Sequence, residues 1–330
     1  MKSSPVGVLL YNLGGPENLD AVEPFLVELF SDRDIIELPL GAWAQPIFAR
    51  IIAKARLKAV KANYASIGGG SPQLRLTLEQ AAALEACLRS RLGDVHVLPA
   101  MRYWGPSTEE ALARLEKLGV EHVVTLPLYP HYSQATTGSS EKELDRVLAT
   151  PRFSGRFRIK PVRSYANNPI YLDALADTVR QKLNELPVDV RERTVLFFSA
   201  HGLPQIFVDR GDPYVAETAA TVQGVLDRLA VRNEHRIAYQ SRTGPVTWIG
   251  PGTEDVLMEL GAAGVRDVLM IPVSFVSEHI ETLYEIDQLF ADAAREARIE
   301  GYRRTQTLGT HPGFIEALAT LVEGALARDD

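Results

Sequence analysis

A single cysteine, Cys87, stands among the 330 residues. That excludes an intrachain disulfide, a cysteine-based zinc site and a four-thiolate iron–sulfur cluster. Its setting in an Ala/Leu helical pattern suits a small buried side chain. Apolar runs of about 18 to 20 residues are missing as well, so no membrane-spanning helix is expected. The apolar stretch within Met1 to Leu10 is too short for a signal peptide. Positive charge is not in excess: 35 Lys and Arg face 42 Asp and Glu, a net charge of −7, without the basic footprint of a nucleic-acid binder. These absences leave a cytoplasmic protein, attached at most to the inner face of a membrane.

Acidic residues are missing from Leu38 to Leu78, whereas Arg50, Lys54, Arg56, Lys58, Lys61 and Arg75 are basic. Arg50, Lys54, Lys58 and Lys61 fall at helical spacing on one face, with Trp43, Ile47, Phe48, Ile51 and Ile52 beside or opposite them. A basic amphipathic helix after an apolar, proline-broken loop fits a lip, over about 38–62, resting on an anionic bilayer. An apolar face that merely covers its own domain would have the same pattern.

What is present in ordinary amounts is core: 46% apolar and 23% charged residues describe a soluble globular chain. Its length exceeds one hydrophobic core, so two domains are expected. Val6 to Leu10 reads as a buried parallel strand, and the Gly-Gly-Pro that follows lacks the third glycine of a dinucleotide fingerprint and the lysine of a P-loop. Helices are expected over 20–30, 74–92 and 108–118, and strands over 95–98 and 120–128. Tyr129 to Ser140 is expected to be a loop and Arg152 to Pro169 a domain link.

The second half repeats the first. Gly105 to Leu115 followed by Gly119 to Pro127 matches Gly250 to Leu260 followed by Gly264 to Pro272, offset by 145 residues at both ends (105 to 250, 127 to 272). Val8 to Pro16 likewise resembles Leu196 to Pro204. Two similar Rossmann-like α/β domains with parallel sheets facing across a cleft are the economical inference, over 1–160 and 161–330, the last helix packing back on the first domain.

The repeat isolates where the halves differ. His201 stands opposite Leu13, and His279 and Glu281 stand opposite Gln134 and Thr136. Ligands of open α/β sheets gather at the carboxyl ends of strands, so imidazoles and carboxylates placed there form a candidate site for a base or metal ligand. A lone strand-end histidine is more often structural, and an acidic helix start is common. Two histidines with Glu281 outweigh that. Glu281 and Glu285 share a helical face, but His279 and Glu281 are two apart, so a widened first turn is expected, with Glu281, Glu285 and Asp287 as a short acidic track. His131, among Tyr129, Tyr132 and Ser133, is a candidate for lining the cleft. The remaining histidines have no comparable setting.

Asn12-Leu-Gly-Gly-Pro16, Gly68-Gly-Gly-Ser-Pro72, Met101-Arg-Tyr103, Tyr129-Pro-His-Tyr-Ser133 with Thr136-Thr-Gly-Ser-Ser140, Ser199-Ala-His-Gly-Leu-Pro204, Tyr239-Gln-Ser-Arg242 and Ser277-Glu-His-Ile-Glu281 through Asp287 together resemble ferrochelatase, nearly end to end. The resemblance implies insertion of ferrous iron into a porphyrin, protoporphyrin IX, as the terminal step of haem synthesis. It implies His201 and Glu281 as the metal-side and proton-handling pair with His279 beside them. Leu13, Arg102, Tyr103, Tyr129, Ser133 and Trp248 become porphyrin contacts, Glu285 and Asp287 an acidic path, and Trp43, Ile47, Phe48, Ile51, Arg50 and Lys54 the membrane lip. Members with a [2Fe–2S] cluster use three C-terminal cysteines and one at the position of Gln134; this chain has none of the four, so no cofactor beyond substrate iron is expected. Coproporphyrin III or another tetrapyrrole, and a porphyrin carrier without turnover, are the alternatives. No feature of the chain specifies an oligomeric state.

Overall fold

A computed structural model describes residues 4–35, 43–244 and 246–328. The chain divides into two compact units. One runs to Ser164 and resumes at Ile315; the other spans Tyr165–Phe314.

In the first unit the apolar Val6–Asn12 forms β1, with Val8, Leu9, Leu10 and Tyr11 fully buried. Such a run, apolar on both faces, belongs at the centre of a parallel sheet. It lies between β2 (Val95–Met101) and β3 (His122–Pro127), and β4 (Arg158–Pro161) closes the order β2-β1-β3-β4, all parallel. Helices α1 (Val22–Ser31), α2 (Gln45–Ser66), α3 (Gln73–Leu92), α4 (Thr108–Lys117) and α5 (Ser139–Leu148) complete the described part of this unit before Ser164. Ser107 and Glu110 start α4 with a reciprocal capping box. Leu112 and Leu115 of α4 then pack on Leu9 and Val123.

The second unit repeats the plan as β5 (Val195–His201), β6 (His235–Gln240), β7 (Asp267–Pro272) and β8 (Gly301–Arg304), parallel in the order β6-β5-β7-β8. Its helices are α6 (Pro169–Asn184), α7 (Val188–Arg193), α8 (Gln205–Asp209), α9 (Tyr214–Leu229), α10 (Thr253–Ala262) and α11 (Phe290–Glu296). The last helix, α12 (Pro312–Leu326), starts in this unit and ends in the other. Val195 and Phe197 of β5 and Val268 and Met270 of β7 meet Leu257, Leu260 and Phe290 in its core. In each unit a π-helix follows the third strand: Gln134–Gly138 after β3 and Glu281–Leu289 after β7.

Three expectations change. Arg152 to Pro169 is not a plain link, because Arg158–Pro161 pairs with β3 and the units part only after Ser164. Tyr129 to Ser140 is not all loop: the π-helix and the first turn of α5 occupy its second half, where Ser133 caps through its hydroxyl on Ala135 N at 3.2 Å. On α2 the buried positions are Gln45, Ala49, Ala53 and Tyr64. Ile47 and Ile51 share the exposed face with Arg50, Lys54 and Lys58, whereas Phe48 and Ile52 are half-buried. Ile47 and Ile51 therefore do not cover the domain. The beginning of the expected lip, around Leu38 and Leu40, lies outside the described residues.

Candidate active site

β5 delivers His201 at its carboxyl end. The backbone there is fixed from two sides: the Tyr214 hydroxyl donates to His201 O at 2.9 Å, and Gly202 N donates to Gln240 O at 2.8 Å. A Cβ on residue 202 would stand 2.5 Å from that same carbonyl oxygen, so only glycine lets the chain leave β5 this close to β6. None of these contacts uses the imidazole. Its ring meets that of Phe275 edge-on, centroids 6.2 Å apart.

β7 ends at Pro272, and the chain turns through Ser274 to Ile280 into the π-helix. Phe275 also meets the His279 ring, at 4.6 Å. His279 Nε2 lies 3.0 Å from Glu281 Oε2, a contact that a regular α-helix would not make between residues two apart. Two hydrogen bonds of Thr282 shape the widened first turn: its hydroxyl accepts from His279 N and donates to His279 O, each at 3.0 Å. Widened helical segments of this kind recur at functional sites.

Behind the carboxylates sits Gln240, the last residue of β6. Its amide nitrogen donates to Glu281 O at 2.9 Å and to Glu285 Oε2 at 3.0 Å, while its oxygen accepts from Ser199 at 2.6 Å. Ser241 donates to Glu285 Oε2 at 2.7 Å. Even with these donors, burial and then the charge of Glu281 push the Glu285 carboxyl up to about 7. For His201, burial outweighs the attraction of Glu281 and lowers its pKa, with His279 acting in the same sense as burial. A neutral imidazole with an available lone pair is therefore the form present at neutral pH.

Asp287 is placed differently. Arg304 grips it with two parallel bonds of 2.7 and 2.8 Å, and uses Nη1 for Glu278 Oε1 at 2.9 Å. Burial alone would raise the Glu278 carboxyl; Arg304 and hydrogen bonds to Thr282 and Thr307 N hold it below the usual range. Arg304 thus ties down both the turn before the π-helix and its middle. Asp287 is engaged there, whereas Glu281 stays with His279, and Glu285 with Gln240 and Ser241. Among the described residues no three His, Cys, Asp or Glu side chains converge as a metal-holding group. Trp248 is half-buried, with Nε1 donating to Thr243 O at 3.0 Å.

In the first unit, Leu13 leaves β1 with its carbonyl accepting from Tyr103 N at 2.9 Å, so Leu13 and Tyr103 are tied side by side beyond the strand ends. Tyr103 and Ser133 are buried, and the Tyr129 hydroxyl is enclosed beside Ser140. His131 is buried, and burial lowers its pKa to about 3.

The ferrochelatase family model matches residues 5–326. The chain belongs to the ferrochelatase family. Ferrochelatase of Synechocystis is 47% identical over 323 residues, covering 97% of this chain and 82% of that protein. Ferrochelatase of Geotalea uraniireducens is 46% identical over 322 residues, covering 98% of each. Among solved structures, SirB from Bacillus subtilis with Fe3+ superposes with a TM-score of 0.56 at 14% identity, covering 98% of this chain and 96% of that one. DR2241 from Deinococcus radiodurans does so with 0.56 at 16% identity, covering 99% and 56%. The two structural likenesses show the chelatase-like fold.

For this ferrochelatase-family chain, the sequence-predicted His201, His279, Glu281 and Glu285 come together, and Asp287 is drawn off by Arg304. Phe275, Gln240, Ser241 and Tyr214 escaped the sequence reading as site residues. Gln240 and Ser241 sat inside a quoted motif, Tyr239 to Arg242, but an uncharged side chain gives no sign of which carboxylate it serves.

Proposed function

We propose that this chain inserts ferrous iron into protoporphyrin IX, the last step of haem synthesis, with the second unit's strand-end cluster on the metal side. The supporting observation is the pairing of a neutral His201 with the His279–Glu281 contact and the near-neutral Glu285 at the carboxyl ends of β5, β6 and β7. A free porphyrin is flat and carries two inner N–H protons. Iron entry requires the ring to bend and both protons to leave, with distortion drawn from binding energy. His201 is the proton acceptor. Glu281 exchanges water for carboxylate oxygen on the incoming ion, with His279 orienting it, and Glu285 relays protons. Iron is a substrate here, and the reaction involves no change in its oxidation state. Leu13, Arg102, Tyr103, Tyr129, Ser133 and Trp248 hold the macrocycle. In an anaerobic assay with Fe²⁺, protoporphyrin IX is expected to be metallated with higher kcat/KM than coproporphyrin III; the reverse order would assign the chain to the more carboxylated substrate.

The preference for an apolar porphyrin follows from the lip. Trp43, Ile47 and Ile51 are 74%, 54% and 57% exposed, with the exposed Arg50 between the isoleucines and the exposed Lys54 and Lys58 beyond them on α2. Apolar side chains flanked by cations on a helix surface suit peripheral attachment to an anionic bilayer. No helix among the described residues is long and apolar enough to cross a membrane. Neutralising Arg50, Lys54 and Lys58 to glutamine should weaken partition into anionic phospholipid vesicles roughly a hundredfold at low salt, at about 1 kcal/mol per basic residue. Unchanged flotation would remove the lip from the reading.

A further inference from the structure

One buried carboxylate of the first unit has no part in the chemistry above. Asp32 ends α1, where the helix dipole disfavours a negative charge, and its side chain is only 6% exposed. Oδ2 receives Arg102 Nη2 at 2.8 Å, the Tyr103 hydroxyl at 2.6 Å and the Ser139 hydroxyl at 2.6 Å, while Oδ1 receives Asp34 N at 2.8 Å. A carboxylate has about four acceptor sites, and the four donors here match that number, three of them crowded on Oδ2. Burial would raise its pKa, but the bonds from Ser139 and Tyr103 and the charge of Arg102 together hold it below the usual range.

The partner gains a defined orientation. Arg102 commits Nη2 to Asp32 and Nε to Ser139 Oγ, the latter at 2.8 Å, and its guanidinium lies 4.8 Å over the Tyr103 ring. Its main chain is held as well, Arg102 N donating to Asn12 O at 2.9 Å. Among the described residues Nη1 has no partner, and the side chain is 20% exposed. A guanidinium anchored along one edge and stacked on one face offers its remaining donors as a rigid carboxylate receptor.

We infer that Asp32 is a positioning residue: directly and through the Ser139 hydroxyl it holds Arg102 with Nη1 presented to one ionised carboxylate of the porphyrin. This rests on the reading of Arg102 as a porphyrin contact. A purely structural ion pair would also bury Asp32, so the test must read something that stability does not move.

Zinc insertion into a dicarboxylate porphyrin and into its dimethyl ester, both in detergent micelles, supplies that readout. The unsubstituted protein should favour the acid. Asp32→Asn should raise KM for the acid about tenfold, the scale of a lost charge-assisted hydrogen bond, with kcat and ester turnover little changed. Ser139→Ala should shift the acid/ester ratio the same way by less, and Asp32→Asn added to Arg102→Ala should have no further effect. Equal losses on acid and ester would reduce Asp32 to a structural role. If Arg102→Ala collapses the acid/ester ratio while Asp32→Asn and Ser139→Ala leave it intact, the positioning proposal fails and the substrate reading stands. An unchanged ratio in Arg102→Ala would sink the substrate reading, and the proposal with it. Should Asp32→Asn not fold, Ser139→Ala decides alone by the same ratio.

Discussion

Replacing His201 by alanine is expected to lower kcat for metal insertion about a thousandfold, within the range for loss of a positioned general base, while the folded state and porphyrin binding persist. The geometry separates the two effects. The hydrogen bonds that fix the chain at this point all use main-chain atoms of the strand end: the Tyr214 hydroxyl on the His201 carbonyl and the pairing with Gln240 of β6, through Gly202 N. Alanine keeps these and loses only the imidazole and its edge contact with Phe275, which accounts for roughly 1 kcal/mol of stability at most. Lowering of its pKa keeps His201 neutral, so a proton acceptor disappears without leaving an unpaired charge. Anaerobic rates with Fe²⁺ and with Zn²⁺ should fall together, because removal of pyrrole protons is common to both metals. Insertion by the variant at an undiminished rate would take the proton-accepting role from His201.

Glu285→Gln should act on stability, and in a pH-dependent way. In the unfolded chain this carboxyl titrates near its ordinary value of 4.5; in the fold it is pushed up to about 7 by burial first and Glu281 second. Between those values the native state binds more protons than the unfolded one, so stability falls as pH rises through this window and the cost is complete above about pH 7. The shift corresponds to about 3 kcal/mol. Glutamine removes the charge and retains an oxygen for Ser241 and Gln240. Urea unfolding should therefore find the variant more stable than the parent by about 2 kcal/mol at pH 8 and nearly equal to it at pH 5. A variant less stable at pH 8 would mean that Ser241 and Gln240 stabilise the ionised carboxylate more than burial opposes it.

Much of this arrangement is legible in the chain because it is written in patterns. Val8 to Leu10 announces a strand buried on both faces, and the fixed offset between the halves predicts two sheets of one plan. Departures between the halves single out His201, His279 and Glu281, and the two-residue spacing of the last two already demands a helix wider than α. Other features carry no pattern. Arg158-Ile-Lys-Pro161 is a short, partly exposed edge strand, which in sequence looks like a link. The first turn of α5, Ser139 and Ser140, hides in a run of hydroxyls because buried serines read as loop. On α2 the spacing left open whether the isoleucines form a lip or cover the domain, and the buried positions include Ala49 and Ala53 instead, since close helix packing can favour small residues over large ones. Asp32 and Gln240 act through partners far away in sequence, 70 and 41 residues for Arg102 and Glu281, and no local spacing encodes that.

The division of the chain at Ser164 and Ile315 also has a consequence for its birth on the ribosome. The second unit is an insertion in the sequence of the first. Its two ends lie near one another, the rings of Tyr165 and Phe314 being 6.3 Å apart, and it is complete as soon as Phe314 has emerged. The first unit, although translated earlier, lacks its closing helix until the last residues follow, when Glu316 and Glu323 reach Arg91 on α3. Vectorial synthesis ordinarily lets the earlier-translated domain fold first; here the opposite order is expected, the unit bearing His201 and His279 being able to close before the unit that contains β1.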